Sequence, residues 1–240
     1  MKLNSWILTS TAVCAALNLV SAGDITGKIS LKGMPPAEKD IDHSKDPNCG
    51  QTIKTPLKTR FYVTDGSGGL GDVVVFIKSG LEGKKFPAPE KPALIDQTGC
   101  EYTPYVSAIQ TDQKLLVRNS DKTFHNVHPT PQVPGNKEDN KAQLAGAPDL
   151  TFTYPAQEIP LKFSCNVHPW MIAYVAVVSH PFFAVSAKDG SFTIKGVPPG
   201  KYTVEAFHRK SHGPAGKGVT QEVTVGADGA KANFTVEVPQ

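Results

Sequence analysis

The feature that most constrains this chain of 240 residues is a short run in which Cys165, His168 and Met171 follow one another at intervals of three residues. The run separates two stretches rich in β-branched and alternating apolar residues, Leu161 to Ser164 and Ile172 to Val178, and this pattern predicts strands. A thiol, an imidazole and a thioether are therefore expected on one short loop between two strands.

A fourth side chain of the same kind stands upstream. His125 follows a predicted strand at Leu115 to Asn119 and is expected to reach the loop from a neighbouring strand. One thiolate, two neutral imidazoles and a weak axial thioether form the set that suits copper cycling between Cu(I) and Cu(II). Taken singly, Met171 could be core, His168 a surface turn residue, and Cys165 a buried thiol or half of a disulfide. Together, the four types at this spacing favour one copper ion, with the predicted ligands His125, Cys165, His168 and Met171.

Strand and turn signals run through nearly the whole chain and predict an all-β fold. The 21 Gly and 20 Pro are scattered without a period, which suits a protein with many turns. The further predicted strands are Asp24 to Leu31, Arg60 to Val63, Asp72 to Lys78, Gln113 to Arg118, Ser191 to Ile194, Tyr202 to Phe207, Val219 to Val225 and Ala232 to Val238. No stretch combines a cap with a helical period, and the polar stretches Pro35 to Pro56 and Pro129 to Leu150 are predicted to be loops or excursions.

Two motifs in the middle of the chain belong together: the C-x-x-H-P-aromatic-M loop from Cys165 to Met171 and the H-N-V-H motif that begins at His125. On these motifs the segment resembles a cupredoxin, and within that blue-copper family it is most similar to amicyanin and to plastocyanin-like proteins. The resemblance covers Asp96 to Val178, with Tyr102-Thr103-Pro104 where an early strand ends. The whole chain also resembles exported plastocyanin-like proteins that carry a methylamine-utilisation label, which reports similarity and not a substrate.

The resemblance also implies roles for two neighbours of the first histidine. Asn126 is expected to tie the two ligand loops together and to bond near the thiolate. His128 lies three residues from His125 and therefore points to the opposite face of a strand. We expect His128 near the rim of the site rather than on the metal.

The two ends of the chain resemble the halves of a carboxypeptidase regulatory-like β-sandwich, an immunoglobulin- or transthyretin-like fold. Gly23 to Gly33 and Gly71 to Ser79 are similar to its opening strands, and Ala184 to Val238 to its later strands through a D-G-x-F … P-P-G-x-Y motif. In that motif Gly supplies turn conformations, and Phe and Tyr pack inward. We expect a Greek-key cupredoxin-like sandwich at residues 92–179, inserted in or packed with a sandwich formed by residues 23–91 and 180–240. A single larger sandwich is the alternative.

Residues 1–22 predict a secretory signal peptide. Lys2 supplies a positive start, Trp6 to Val20 is mostly apolar, and small residues precede a cleavage point after Ala22. A retained anchor helix is the alternative, but about 15 apolar residues fall short of the roughly 20 that a span requires. The mature protein is expected to be periplasmic or otherwise exported, with no membrane span.

Cysteine parity gives a second expectation. Cys14 leaves with the signal peptide, so an oxidising compartment would hold Cys49, Cys100 and Cys165, and three cysteines cannot all pair with one another. With Cys165 bound to copper, Cys49 and Cys100 are predicted to form a disulfide. Two free thiols are the alternative.

Charge argues against one class of partner. Loss of Lys2 with the signal peptide lowers the formal charge from +3 to +2, which is too small to indicate nucleic-acid binding. One basic cluster favours a solvated β-turn, with a docking patch for an acidic partner as the alternative; its members are Lys201, His208, Arg209, Lys210 and His212. His180, His208 and His212 are predicted to be surface groups, with a weak second metal site as the alternative.

These residues together predict a one-electron carrier. A metal with four protein ligands has no open position for substrate, unlike a catalytic metal site. A redox partner protein, whose identity the sequence does not give, is expected to meet the apolar surface at Pro169 and Trp170, where an edge of His168 would lie close to solvent. Trp170 is equally compatible with packing between the two modules. The alternative function is copper delivery, or binding of an envelope glycan or protein, without redox turnover.

Enzyme classes find no support in the sequence, so we expect a protein that is not an enzyme. The ligand loop lacks the second cysteine of a two-copper oxidase centre, and the chain lacks the H-C-H clusters of multicopper oxidases. Cleavage after Ala22 would expose Gly23, not the N-terminal histidine of copper oxygenases that act on polysaccharides. No G-x-S-x-G, H-E-x-x-H or C-x-x-C-H motif indicates a hydrolase, a zinc protease or a c-type haem.

Overall fold

A computed structural model of the protein describes residues 21–44, 46–53, 55–210 and 218–238. The described chain is all-β, as predicted, with one short helix, α1 (Pro47–Thr52). Its strands, in chain order, are β1 (Gly23–Lys32), β2 (Val74–Ser79), β3 (Ala93–Thr98), β4 (Glu101–Thr103), β5 (Val106–Gln110), β6 (Leu115–Asn119), β7 (His125–Thr130), β8 (Lys141–Gln143), β9 (Leu150–Phe152), β10 (Glu158–Ser164), β11 (Ile172–Val178), β12 (Phe183–Val185), β13 (Ser191–Val197), β14 (Gly200–Phe207), β15 (Val219–Val225), β16 (Ala230–Lys231) and β17 (Phe234–Glu237).

Two predictions fall on the remainder of the chain. Of the predicted signal peptide, residues 1–22, the first 20 residues lie outside the described ranges, and so does His212. Within the described ranges, no helix has the length and apolar character needed to cross a membrane.

Strands from both ends of the described chain form a first pair of sheets. In one sheet β1 lies between β13 and β16 and also pairs with β17, and the other has the order β12-β2-β14-β15. Both sheets pack on one apolar core, which includes Leu70 and Phe192. Between β12 and β13, Gly190 has a φ of 83°, and a Cβ there would lie 2.1 Å from the carbonyl oxygen of Ile29. Only glycine fits this turn, because other residues would be strained and would clash.

Strands from the middle of the chain form a second pair of sheets, with the orders β5-β11-β10-β7-β8 and β4-β3-β6-β9. Their shared core includes Tyr102, Phe163 and Val175. β10 pairs with both β7 and β11. Because β7 begins at His125 and the loop from β10 to β11 carries the other predicted ligands, the sheet itself brings that loop beside His125.

An apolar contact joins the two pairs of sheets. It consists of Val74, Phe76 and Phe207 from the first pair, packed with Val106, Ala176 and Val178 from the second. The strand pairings connect residues 23–79 with residues 183–237, and strands within residues 93–178 pair among themselves. The assignment of these parts to particular sandwich families, with boundaries at residues 92 and 179, remains a prediction.

The helix α1 corrects the prediction that Pro35 to Pro56 is only a loop or excursion. Its six residues are too few to display a helical period in the sequence. Asp46 caps the helix by accepting a hydrogen bond from the backbone N–H of Cys49, and Pro47 occupies the first turn.

Strand prediction fails at two other places. Arg60 to Val63 is not a strand, because the backbone N–H groups of Phe61 and Tyr62 donate to the carboxylate of Glu38 instead of to a sheet. Conversely, β3, β5, the short strands β8 and β9 and the two-residue β16 are absent from the prediction, and β8 lies within Pro129 to Leu150, the stretch predicted to be a loop or excursion. In β3 the polar Gln97 interrupts the apolar pattern, yet it is fully buried. Its amide donates to Gln143 at 2.6 Å, a partner that only the folded chain supplies.

Candidate metal centre

Three of the four predicted ligands converge at the end of the second sheet pair. The Nδ1 atoms of His125 and His168 lie 3.0 Å apart, and the Sγ atom of Cys165 lies 3.7 Å from Nδ1 of His168. The three ligand atoms fall within 4.8 Å of one another. All three side chains are buried. The thiol and the two imidazoles that the sequence separates by up to 43 positions therefore share one small volume.

Each imidazole is held from behind by a carboxylate. Oδ2 of Asp121 lies 2.9 Å from Nε2 of His125, and Oδ2 of Asp46 lies 3.1 Å from Nε2 of His168. Burial acts to raise the pKa of Asp121, but hydrogen bonds from His125, Cys100 and Gly99 outweigh burial and lower it. The pKa of Asp46 is also lowered, mainly by the hydrogen bond from the Cys49 backbone. Both groups are therefore carboxylates, which only accept hydrogen bonds.

This arrangement fixes which nitrogen of each histidine faces the centre. A carboxylate behind Nε2 requires a proton on that nitrogen, so in the neutral tautomer the Nδ1 lone pair points inward. Two such lone pairs would then face each other at 3.0 Å, with the sulfur of Cys165 beside them. Either an extra proton or a cation must lie between these atoms. A soft sulfur with two imidazole nitrogens is a donor set that fits copper.

Electrostatics favour the same side chains as ligands. Burial acts to raise the pKa of Cys165, but hydrogen bonds from His125 and from the backbone N–H groups of Asn126, His168 and Val167 lower it to about 7. Burial likewise acts to lower the pKa of His125, but the bonds to Asp121 and Cys165 outweigh it and the net shift is upward. The site thus stabilises a thiolate, which is the form of cysteine that binds metals.

The fourth predicted ligand, Met171, lies at the end of the ligand loop. Met171 is buried in the same core cluster as Cys165. Its backbone N–H donates to the carbonyl of His168 at 2.8 Å, and its own carbonyl accepts from the backbone N–H of Cys165 at 3.1 Å. These two bonds make the segment from Cys165 to Met171 a compact turn, and they fix the backbone positions of Cys165, His168 and Met171 relative to one another.

Asn126 lies between the two ligand segments. Its side-chain oxygen accepts from the backbone N–H of Asn166 at 3.0 Å, and its own backbone N–H donates to Sγ of Cys165 at 3.3 Å. Its amide nitrogen makes a very short contact with Asn140. Tyr102 adds a link that sequence reasoning missed, because its hydroxyl donates to the carbonyl of Asn126 at 2.7 Å. β7 and the ligand loop are thereby held together from two directions.

His128 takes no part in the convergent set. Its ring nitrogens lie 2.7 Å from Glu138 and 3.1 Å from Asn166, and the side chain is partly exposed. This agrees with an orientation away from His125 along the strand.

The predicted disulfide is confirmed, and it lies directly behind the site. Cys49 and Cys100 are bonded across 51 positions of sequence. The Sγ atom of Cys49 lies within 4.8 Å of side-chain polar atoms of Asp46 and His168. The Sγ atom of Cys100 lies within the same distance of polar atoms of Asp121 and His125. The backbone N–H groups of Cys49 and Cys100 each donate to one of the two carboxylates that hold the histidines.

The prediction that an edge of His168 lies close to solvent is wrong. His168 is only 1% exposed, because the capping residue of α1, Asp46, covers its Nε2 atom. Trp170 lies on another side, with its ring centroid 5.2 Å from that of His168. The indole N–H of Trp170 donates to the carbonyl of Cys100 at 3.0 Å, and its ring packs partly on the core, while Pro169 is exposed.

Two other histidines correct the prediction of surface groups. His180 is buried, donates from Nε2 to the carbonyl of Ile77 at 2.7 Å and accepts from the backbone of Phe182. His208 is buried and stacks on Tyr62 at 4.9 Å. Burial, with the charges of its basic neighbours, lowers the pKa of His208 to about 4. Both rings are neutral and belong to the packed interior. The sequence does not reveal this, because it places both histidines beside polar residues.

No family model and no curated protein matches the chain. Solved structures are similar to it, and the three described next each cover less than half of it. A copper-containing nitrite reductase from Thermus scotoductus SA-01 is 19% identical over 40% of this chain and 24% of its own, with a TM-score of 0.33. A purple cupredoxin from Nitrosopumilus maritimus is 22% identical over 35% of this chain and 98% of its own, with a TM-score of 0.30. A mutant of amicyanin in the Cu(I) state is 19% identical over 43% of this chain and 97% of its own, with a TM-score of 0.33. At these values the function must be argued from the site itself.

Proposed function

We propose that the chain is an exported type 1 copper protein that carries single electrons and is not an enzyme. The convergence of Nδ1 of His125, Nδ1 of His168 and Sγ of Cys165 carries the proposal. These residues would hold one copper ion with Met171 as the axial thioether, and copper would supply the Cu(I)/Cu(II) couple. The disulfide between Cys49 and Cys100 and the predicted signal peptide support an oxidising, extracytoplasmic location.

The surroundings of the donor set support a carrier. The ligand side chains are buried, and the hydrogen bonds that the two imidazoles donate to Asp46 and Asp121 fix both rings, so the geometry need not change between oxidation states. A site closed by four protein groups offers no position to a substrate. The protein's own contribution is to orient the ligands and to exclude water.

We place the contact with a redox partner on the ligand loop beside the covered histidine. Val167 is 45% exposed and Pro169 is exposed. With Trp170 and Ile41 they line a depression of about 570 Å³. Because Asp46 covers the ring edge of His168, Pro169 and Trp170 are the groups through which an electron would reach a partner.

Voltammetry of the copper-loaded protein tests the proposal against copper delivery. A carrier gives a reversible one-electron couple and keeps its metal through repeated cycles in the presence of a Cu(I) chelator. Preferential binding of Cu(I), rapid transfer to the chelator and no reversible couple would contradict the carrier and support delivery.

A further inference from the structure

A cavity of about 350 Å³ lies beside the metal centre, at the contact between the two pairs of sheets. This volume falls in the range of roughly 300–1,000 Å³ that is usual for small-molecule pockets, which often lie at such contacts. Residues 169–172 of the ligand loop form one wall, and residues 58–61 and 209–210 form others. We call this cavity the interface cleft.

Flat rings make up much of the lining of the interface cleft. Tyr105 and Tyr174 meet edge to face with centroids 5.7 Å apart, and both are partly exposed. Phe61 and Trp170 line the same cavity. The guanidinium of Arg60 lies 5.1 Å from the ring centroid of Tyr105. The indole of Trp170 and the edges of the other rings are therefore the surfaces against which another planar group can pack.

Positive charge predominates in the interface cleft. Four cationic side chains line it, against the single carboxylate of Glu101; they are Lys58, Arg60, Arg209 and Lys210. Lys58 pairs with Asp40 at 2.9 Å, and Arg60 pairs with Glu101 at 2.7 Å. These two cations are therefore already neutralised.

The other two cations have no ion pair among the described residues. The guanidinium of Arg209 lies 5.1 Å from the ring centroid of Tyr105 and 5.0 Å from that of Tyr174, and it donates to the backbone carbonyl of Arg60. The ammonium of Lys210 lies 4.8 Å above the ring of Phe61. The cation–π contacts and the hydrogen bond to Arg60 hold the guanidinium in place before any ligand arrives, which reduces the entropy lost on binding.

We propose that the interface cleft binds a small aromatic carboxylate, with the carboxylate on Arg209 and Lys210 and the ring among Phe61, Tyr105 and Trp170. A guanidinium matches a carboxylate with two parallel hydrogen bonds, and the aromatic lining accepts the ring. The cleft shares the ligand loop with the candidate metal centre, but neither Arg209 nor Lys210 belongs to the donor set, and the binding of an aromatic carboxylate goes beyond the proposed electron-carrier function. It also gives a purpose to Arg209 and Lys210, two members of the basic cluster for which the sequence favours a solvated turn.

One half-buried acid competes for the same charge. Asp72 interacts electrostatically with both Arg60 and Arg209 and lines a small cavity together with Arg209, and partial burial raises the pKa of Asp72. Removing this carboxylate would leave more of the positive charge of Arg209 for a ligand. Asp72→Asn should therefore tighten binding, which is opposite in sign to the loss expected when Arg209 is replaced.

Isothermal titration calorimetry of the metal-free full chain with benzoate tests the proposal directly. Benzamide removes the charge from the probe and acetate removes the ring, so both should bind at least about tenfold more weakly. Arg209→Gln should weaken benzoate binding about tenfold or more, Arg209→Lys less, and Lys210→Gln a few-fold. Lys201→Gln removes an exposed cation from β14 outside the cleft and should leave the affinity unchanged within about twofold.

The results separate the proposal from its failure. Benzoate that does not bind at millimolar concentration would overturn it, as would equal binding of benzamide or acetate. Equal weakening by Lys201→Gln and Lys210→Gln would show a general effect of charge and would also overturn it. If Arg209→Gln does not fold, the contrast between Lys210→Gln and Lys201→Gln and the opposite effect of Asp72→Asn still decide the question. None of these measurements requires copper, so their failure leaves the electron-carrier proposal untouched.

Discussion

Replacement of Asp46 by Asn tests whether the carboxylates behind the histidines set the metal affinity. The substitution keeps the shape of the side chain and removes its charge. Asp46 accepts from Nε2 of His168 at 3.1 Å and from the backbone N–H of Cys49 at 2.7 Å. An amide can keep an oxygen on only one of these two donors, and its NH₂ group must face the other.

The consequence falls on the ligand atom. If the NH₂ group faces Nε2 of His168, that nitrogen must become an acceptor, and the proton moves to Nδ1, where it blocks the inward lone pair. If instead the oxygen turns to His168, the NH₂ group faces the Cys49 backbone N–H and the cap of α1 is lost. Replacing a group that orients a metal-bound histidine typically costs about 10- to 100-fold in metal affinity, or roughly 1.4 to 2.7 kcal/mol.

Competition with a chromophoric chelator measures this change, with unfolding curves of the metal-free proteins recorded in parallel. Asp40→Asn is the matched control, because Asp40 belongs to the same segment and pairs with Lys58 at the exposed surface. We expect that control to bind copper like the wild type. If Asp46→Asn folds and its copper affinity is within twofold of the wild-type value, the orienting function of the carboxylate is refuted.

Three further predictions concern the disulfide, a buried histidine and the axial ligand. Removing the disulfide with Cys49→Ala and Cys100→Ala should lower the free energy of unfolding by up to about 4 kcal/mol, the loop entropy for the 51-position separation, as measured by urea denaturation; an unchanged midpoint would contradict this. The pKa of His208 is lowered to about 4, so the folded state excludes a proton that the unfolded state binds. The free energy of unfolding therefore includes a contribution of roughly 3 kcal/mol from neutral His208, which is present above the unfolded pKa of 6.5 and is lost as pH falls towards 4. His208→Gln should lose less stability than the wild type between pH 7.5 and 4.5, and equal losses would contradict the assignment. Met171→Leu should keep the thiolate-to-copper colour and shift the reduction potential upward; loss of all colour would show that Met171 is not a weak axial ligand.

The part of the site that could be read from the sequence is the part encoded locally. Cys165, His168 and Met171 lie within seven residues, so their relative placement depends on one turn and two flanking strands. His125 starts β7, and β7 pairs with the strand that leads into this turn. The pairing of these neighbouring strands is therefore enough to bring His125 beside the ligand loop.

The groups behind the ligands depend on the whole fold. Asp46 reaches His168 across 122 positions, and only the packing of Asp46 and helix α1 beside the ligand loop brings it there. That contact is also why the ring edge of His168 is covered. Asp121 lies four residues before His125, a spacing that could have indicated a hydrogen bond to its ring. His180 and His208 are buried, against the prediction, because strands from distant parts of the chain meet around them.

Addition of Cu(II) to the metal-free protein, followed by visible absorption, tests the predicted copper site most directly. The wild type should develop an intense thiolate-to-Cu(II) band that saturates at one equivalent of metal, because Cys165 is the free cysteine of the described chain and lies beside both imidazole nitrogens. Cys165→Ser should remain without this band even if copper still binds to the histidines. A wild-type protein that stays colourless with Cu(II), or a band that survives in Cys165→Ser, would contradict the copper-thiolate site.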